Sequence, residues 1–371
     1  MKKNRISFFE IKRYLKKRGL EIIKKKNNSK NNDWSPLSRT LISSIFIITF
    51  FYTLPLIFEF TEERGSFSKD FKNNSNTNFQ KVLRGEDYKL DNKLNEEHLY
   101  EDVLEFEDLP NNTVRLSAAT IEQLFKDTKY NLKDVRKEKL VKPVALSLLP
   151  AEIKKIENTK KRKDLFIQII LPLIIKENNY IKTDRKKLFS ILNKNNNSNL
   201  EKSWLNRKFK QYGVVNRDLS TLKIRMDEVP VSMALAQAAK ETGWGTSRFA
   251  QEGNALFGQW TWSGEGIKPA GAEDGTTHKV MKFVVLQASV KAYQRNLNTH
   301  SSYKNFRGAR AELRGNGKKL DSMILSKYLD KYAETGKQYV KILQQIIEQN
   351  NLIDFDDAKL MPLSIELNSL I

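Results

Sequence analysis

The stretch Ser232–Trp260, SMALAQAAKETGWGTSRFAQEGNALFGQW, decides how this chain is read. Asp227 and Glu228 precede Pro230, acids and a proline that suit a helix start. Ser232–Thr242 is rich in Ala and other good helix formers, and Gly243 is a natural left-handed stop. On that helix Ala234, Ala238 and Glu241 share one face at spacings of four and three. The two small residues let another helix, or a substrate, approach closely. Glu241 falls in the last turn, beside Trp244. The helix dipole and burial against Trp244 both disfavour a carboxylate there, so a raised pKa is expected. A carboxyl that stays protonated near neutral pH is what a general acid needs to protonate a leaving glycosidic oxygen. Position alone does not make it one, because a Glu at a helix end is most often a surface residue.

Composition narrows the chemistry. The chain has 371 residues, no Cys, and His only at 98, 278 and 300. Disulfides, thiolate zinc sites, iron–sulfur clusters and cysteine nucleophiles are excluded, and acid–base work falls mainly to carboxylates. No metal site and no cofactor is expected. The net charge of +21 is unevenly spread. Residues 1–39 carry 13 basic and 3 acidic groups, residues 59–108 carry 7 and 14, and residues 109–371 carry 45 and 27.

Between the first two regions lies Leu41–Phe58, LISSIFIITFFYTLPLIF, without an ionisable charge. As a helix it would reach about 27 Å, close to the ~30 Å hydrocarbon core of a bilayer. Its leader is long and basic, and Phe58-Glu59-Phe60 is a poor signal-peptidase site. The expectation is a single-pass signal anchor over residues 40–58, with a basic cytoplasmic tail (1–39) held inside by the positive-inside rule. An acidic, Asn-rich flexible linker (59–110) follows, then a domain exported to the periplasm. That places the protein in the inner membrane. Basic groups on both sides of a span cannot form one nucleic-acid footprint, so nucleic acid is not an expected partner.

The exported part reads as mainly α: a helical N-terminal part at 111–200 and a catalytic domain at 201–371. Ile121, Leu124 and Phe125 suggest one short helix, and Leu146–Leu149 before Pro150 another. Leu165–Ile175 is too short to span a bilayer, so it reads as a core helix continuing through Leu192 despite Pro172. Asn193–Asn199 reads as a loop. The four glycines of Gly264–Lys279 mark a loop or hairpin, followed by Val280–Leu286 and a helix through Ser289, Val290, Tyr293, Leu297 and Tyr303.

Glu241-Thr242-Gly243-Trp244-Gly245, then Ser247-Arg248-Phe249-Ala250, then Asn254-Ala255-Leu256-Phe257-Gly258 resembles the peptidoglycan glucosaminidases of glycoside hydrolase family 73, especially their Bax-like branch. The family pattern is an Ala-rich helix ending in Glu-(Ser/Thr)-Gly-Trp-Gly, then Ser-x-Phe-Ala, then Asn-Asn-Leu-Phe-Gly. Ala255 stands where the family has its second Asn. The resemblance runs from about Val135 to Leu352. It implies a lysozyme-like helical fold with a small β lobe, cleavage of the β-1,4 bond after N-acetylglucosamine, and peptidoglycan glycan strands as the partner.

By that resemblance Glu241 is the catalytic acid. The β lobe can supply a second carboxylate, for which Glu273 is the candidate ahead of Asp274 and Glu265. Tyr332-Ala333-Glu334-Thr335-Gly336-Lys337-Gln338-Tyr339 is similar to the family's Tyr-Ala-Thr-Asp-x-x-Tyr segment, making Tyr332 an active-site tyrosine. Trp244, Asn254, Phe257, Gln259, Trp260 and Tyr339 are candidate substrate-binding residues, and Trp262 is a further possible stacking face. Any of the aromatics can equally be core. A lytic transglycosylase and a non-catalytic wall-binding scaffold remain the alternatives. The first usually carries a Glu-Ser pair and a Gly-Leu-Met-Gln stretch, absent here.

Overall fold

The computed structural model describes residues 113–261, 266–269 and 278–362. The expected membrane segment, the linker, Trp262, Glu265, Glu273 and Asp274 lie outside the described residues. Among the described residues, no helix is long and apolar enough to cross a membrane. The described residues form a mainly helical architecture with two small sheets.

Ser117 caps α1 (Ala118–Asp127), whose Ile121 and Phe125 are buried as their spacing predicts. After α2 (Leu132–Glu138) and β1 (Leu140–Val141), the chain passes Leu146–Leu149 without the expected short helix. Pro143 and Pro150 bracket that segment; each lacks an amide donor and biases its predecessor toward extended backbone. Helical turns resume only beyond Pro150, as a 3-10 segment at Ala151–Lys155.

The longest element is α3 (Thr159–Leu192), 34 residues with Leu165–Ile175 at its buried centre. Pro172 lies inside it and deprives the Gln168 carbonyl of its helical donor. The buried Tyr130 hydroxyl donates to that carbonyl at 3.1 Å, and the Gln168 side chain returns a bond to the Tyr130 carbonyl at 2.8 Å. The helix therefore continues past the proline. Its second half packs Ile181, Leu188 and Ile191 against Trp204 and Phe209 of α4 (Asn199–Gln211) and Leu222 of α5 (Leu219–Arg225), forming a second core. The expected loop ends at Ser198, which with Glu201 makes a capping box for α4.

The remaining elements are α6 (Val231–Thr242), α7 (Arg248–Gly253), β2 (Trp260–Thr261), β3 (Gly266–Ile267), β4 (Lys279–Met281), α8 (Leu286–Thr299), α9 (Lys304–Gly315), α10 (Ser322–Leu325), α11 (Lys337–Gln349) and β5 (Lys359–Leu360). β4 is the middle of an antiparallel three-stranded sheet, with Trp260 opposite Val280 and Gly266 opposite Met281. β1 pairs in parallel with β5. Almost all of α6 is buried, and it packs against α3, α11 and the turn Leu352–Phe355. Ala234 and Ala238 are fully buried, so the small-residue face meets protein. On α11, Tyr339, Leu343 and Ile347 recur every four residues and point into the core. A helix buried this thoroughly fixes whatever its last turn carries.

Candidate active site

Glu241 is the next-to-last residue of α6, half-buried. The turn that ends the helix holds three successive residues in the left-handed region: Gly243 (φ 56°), Trp244 (φ 60°) and Gly245 (φ 85°). A side chain at Gly245 would bring its Cβ within 3.0 Å of the Phe166 ring, so this glycine lets the turn sit directly on α3. Thr242 locks the turn, donating its hydroxyl to the Ala238 carbonyl at 2.6 Å and accepting from the Gly245 amide at 2.9 Å.

Three tyrosines and a glutamine surround the carboxyl. Tyr339 donates its hydroxyl to Glu241 Oε1 at 2.8 Å. Gln237, one turn before Glu241 and fully buried, donates from Nε2 to that hydroxyl at 3.1 Å. Tyr293 of α8 donates to Gln237 Oε1 at 2.6 Å. The chain Tyr293–Gln237–Tyr339–Glu241 thus gives every member a partner and leaves the carboxyl's other oxygen uncommitted to it. That oxygen faces the backbone at Gly258, where an added Cβ would come within 3.3 Å of Oε2. Tyr332 holds this backbone by donating to the Phe257 carbonyl at 2.7 Å, and its ring stacks on Tyr339 at 5.5 Å. Phe257 in turn stacks on Tyr293 at 3.8 Å.

Burial raises the Glu241 pKa above the ordinary glutamate value, while the Tyr339 hydrogen bond and Lys240 only partly oppose it. Burial, with Glu241 nearby, raises Tyr303, Tyr332 and Tyr339 as well, so all three stay neutral donors. The arrangement can hold a proton on a carboxyl at the end of a rigid helix and offer it to a basic oxygen.

The other candidates divide. Glu241, Tyr339, Tyr332 and Phe257 come together in one cluster. Trp260, 45% exposed, lies on β2 edge-on to His278 and presents a free aromatic face. Gln259 is buried, and both its side-chain polar atoms lack a hydrogen-bond partner. The Trp244 ring packs edge-on against Phe166 and under the Lys163 ammonium, anchoring the turn to α3. Asn254 caps α7 in the left-handed region and gives its amide to the Phe283 and Val284 carbonyls, tying the helix to the β lobe. Ala255 is buried, and the Leu256 amide after it donates to Ser289 of α8.

Residues 221–352 match the family model described as mannosyl-glycoprotein endo-beta-N-acetylglucosaminidase. Protein bax of Escherichia coli (strain K12) is 32% identical over 210 residues, covering 55% of this chain and 75% of its own length. The chain belongs to the Bax-like glucosaminidase-domain family. Its domain is thus of a glycoside hydrolase type. No solved structure matches.

Within the glucosaminidase domain, reading the sequence passed over Gln237, Tyr293 and Tyr303 as site residues. Gln237 had a usable signal, since it lies four residues before Glu241 on the same helix. Tyr293 and Tyr303 had none, because only the tertiary fold carries α8 and the following turn to the end of α6.

Proposed function

We propose that this protein hydrolyses peptidoglycan, cleaving the β-1,4 bond after N-acetylglucosamine with Glu241 as the general acid. The observation that carries the reading is a half-buried carboxyl, raised in pKa and bonded to a neutral hydroxyl, at the end of the family's motif helix. Glu241 protonates the bridging oxygen as an oxocarbenium-like state develops on the N-acetylglucosamine, and water completes the cleavage. Tyr339 orients the carboxyl through the Gln237 chain, and Tyr332 positions the Phe257–Gly258 backbone that lies against it. Trp260 lines the approach as a stacking face for the sugar.

The second carboxylate in this reading is Glu273, from the segment between β3 and β4. About 6.5–9.5 Å between the two carboxyls would give inversion; without a second acid, the 2-acetamido group of the sugar assists. The domain is lysozyme-like, anchored by Leu41–Phe58 in the inner membrane with its active site in the periplasm. Its basic character suits an anionic wall polymer.

The test digests isolated peptidoglycan with the full chain and with Glu241→Gln, and reads the released ends by mass spectrometry. New reducing N-acetylglucosamine ends that vanish in the variant are expected. Undiminished cleavage by the variant would remove Glu241 from its role, and anhydro-muramic ends would make the enzyme a transglycosylase.

A further inference from the structure

The turn that follows Glu241 is braced by residues outside the matched segment 221–352. Ile153 and Phe166 occupy the space where a Gly245 side chain would go, and the Lys163 ammonium sits over the Trp244 ring. Trp244 itself is held at φ 60°, an uncommon conformation for a bulky residue that persists only where its surroundings over-determine it. The bracing contacts are therefore part of what fixes the last turn of α6.

A further brace starts at Arg115, in the segment before α1. Its guanidinium serves three acceptors. Nη1 donates to the Leu149 carbonyl at 2.7 Å and to Gln251 Oε1 at 3.1 Å, and Nη2 donates to the Gln251 carbonyl at 2.6 Å. Gln251 lies on α7 and passes the contact on. Its Nε2 donates to the Gly245 carbonyl at 2.8 Å and to the Pro150 carbonyl at 3.3 Å. The Gly245 amide is already bonded to the Thr242 hydroxyl, so residue 245 is fixed through both its donor and its acceptor.

Hydrogen-bond chemistry dictates which way the Gln251 amide faces. The two carbonyls on one side need a donor, while Arg115 has donors only and needs an acceptor on the other. A bond from a charged donor is among the stronger ones, so the guanidinium sets the orientation. Without it Oε1 loses its donor, and the amide is free to turn that oxygen toward the Gly245 carbonyl, where two acceptors repel. One cation outside the matched segment thereby decides whether the turn after Glu241 keeps its partner.

We propose that Arg115 is a positioning residue for the Glu241 centre, acting through Gln251 on the Gly245 carbonyl and so on the turn that ends α6. The segment before α1 then helps to build the acid site. Only the statement that the acid serves glycoside cleavage rests on the peptidoglycan reading above; the hydrogen-bond route does not. Losing the Arg115 bonds loosens the last turn of α6 and admits water to the carboxyl. Burial is the larger cause of the raised Glu241 pKa, so its midpoint falls toward the free value.

The experiment follows the Glu241 carboxyl carbon by ¹³C NMR against pH in the full chain and in Arg115→Ala, Gln251→Ala and the double variant, with kcat and KM measured on isolated peptidoglycan. Arg115 is exposed, so its truncation leaves the chain folded, which thermal melts establish. Arg115→Ala lowers the Glu241 midpoint and lowers kcat at unchanged KM, by up to about 10²-fold, the scale for a reacting group displaced by an ångström. The double variant moves neither quantity beyond Gln251→Ala, because the two residues act in series. A midpoint in Arg115→Ala that is unchanged or higher overturns the proposal, and a lower Tm alone makes Arg115 a tether for the chain before α1. Additive shifts in the double variant overturn the route through Gln251. The titration needs no turnover, so it decides even where the wild-type chain leaves peptidoglycan uncut; that result removes the peptidoglycan reading and leaves the positioning role standing or falling on the midpoint.

Discussion

Two carboxylates bracket α6, Asp227 buried and Glu241 half-buried, and burial has opposite outcomes at its two ends. Asp227, four residues before the helix, is 2% exposed. Burial alone would raise its pKa, but Arg310, Arg185 and Arg314 overcome that and hold it below the usual aspartate value. Arg314 reaches both carboxyl oxygens, at 3.1 and 3.3 Å. Arg310 meanwhile donates to the carbonyls of Asp227, Glu228 and Ile224, satisfying the end of α5. Glu241, at the other end, meets neutral hydroxyls and a backbone instead of guanidinium groups, and burial wins. Burial therefore does not by itself make a proton donor. The neighbours decide whether a carboxyl becomes a structural anion or an acid.

The comparison breaks first on activity. Glu241→Gln is expected to lower kcat about 10²–10⁴-fold, the range for one general acid, measured as reducing ends released from peptidoglycan. The same substitution should raise Tm at pH 7. A carboxyl whose folded pKa exceeds its unfolded ~4.3 is most stabilising below that value and loses stability as pH rises through the folded pKa. A neutral amide escapes that loss, so the difference in Tm should fade toward pH 4.

Asp227→Ala should act on stability, since it leaves three arginines around an empty buried site. A cost of about 3–5 kcal/mol in urea unfolding is expected. Here the sign reverses. A depressed pKa contributes stability above ~3.9 that is lost as pH falls through the folded value, so the penalty should shrink in acid.

Tyr339→Phe sharpens the contrast from inside the site. It removes the one hydrogen bond that lowers the Glu241 pKa, so the alkaline limb of the pH–rate profile should move up. A fall in kcat of about tenfold is expected for losing one such bond. A downward shift of that limb would mean that Tyr339 does not donate to the carboxylate.

The smallest effect concerns Asp356, which binds the Ser232 amide and hydroxyl at 2.8 Å each and so caps α6 from a distant turn. Burial pushes its pKa up to about 6. Asp356→Ala should cost about 0.5–2 kcal/mol, as for other lost caps. It should also abolish the stability that the wild-type chain loses as pH rises from ~3.9 through that value.

What the sequence reveals follows from how local each signal is. The end of α6 is legible because Ala-rich composition, Gly243 and Glu241 all lie within a few residues. The small-residue face at Ala234 and Ala238 is legible too, though not that it meets helices rather than substrate. Leu146–Leu149 misleads, since three leucines in four residues suggest a helix that Pro143 and Pro150 prevent. α3 crosses Pro172 because Tyr130 serves the orphaned Gln168 carbonyl, a repair 38 residues distant that no local pattern carries. The motif residues Trp244 and Asn254 are legible as important, but their observed contacts hold the turn and the β lobe in place. Tyr339 reaches Glu241 across 98 residues, and that contact belongs to the fold alone.

The most direct measurement is a titration of the Glu241 and Asp227 carboxyl carbons in the full chain by ¹³C NMR, assigned with Glu241→Gln and Asp227→Asn. The account predicts a Glu241 midpoint above ~4.3, the value of a free glutamate, and an Asp227 midpoint below ~3.9, that of a free aspartate. A Glu241 midpoint at or below the free value would contradict it, because a carboxyl already ionised in weak acid has no proton to give to a leaving oxygen at neutral pH.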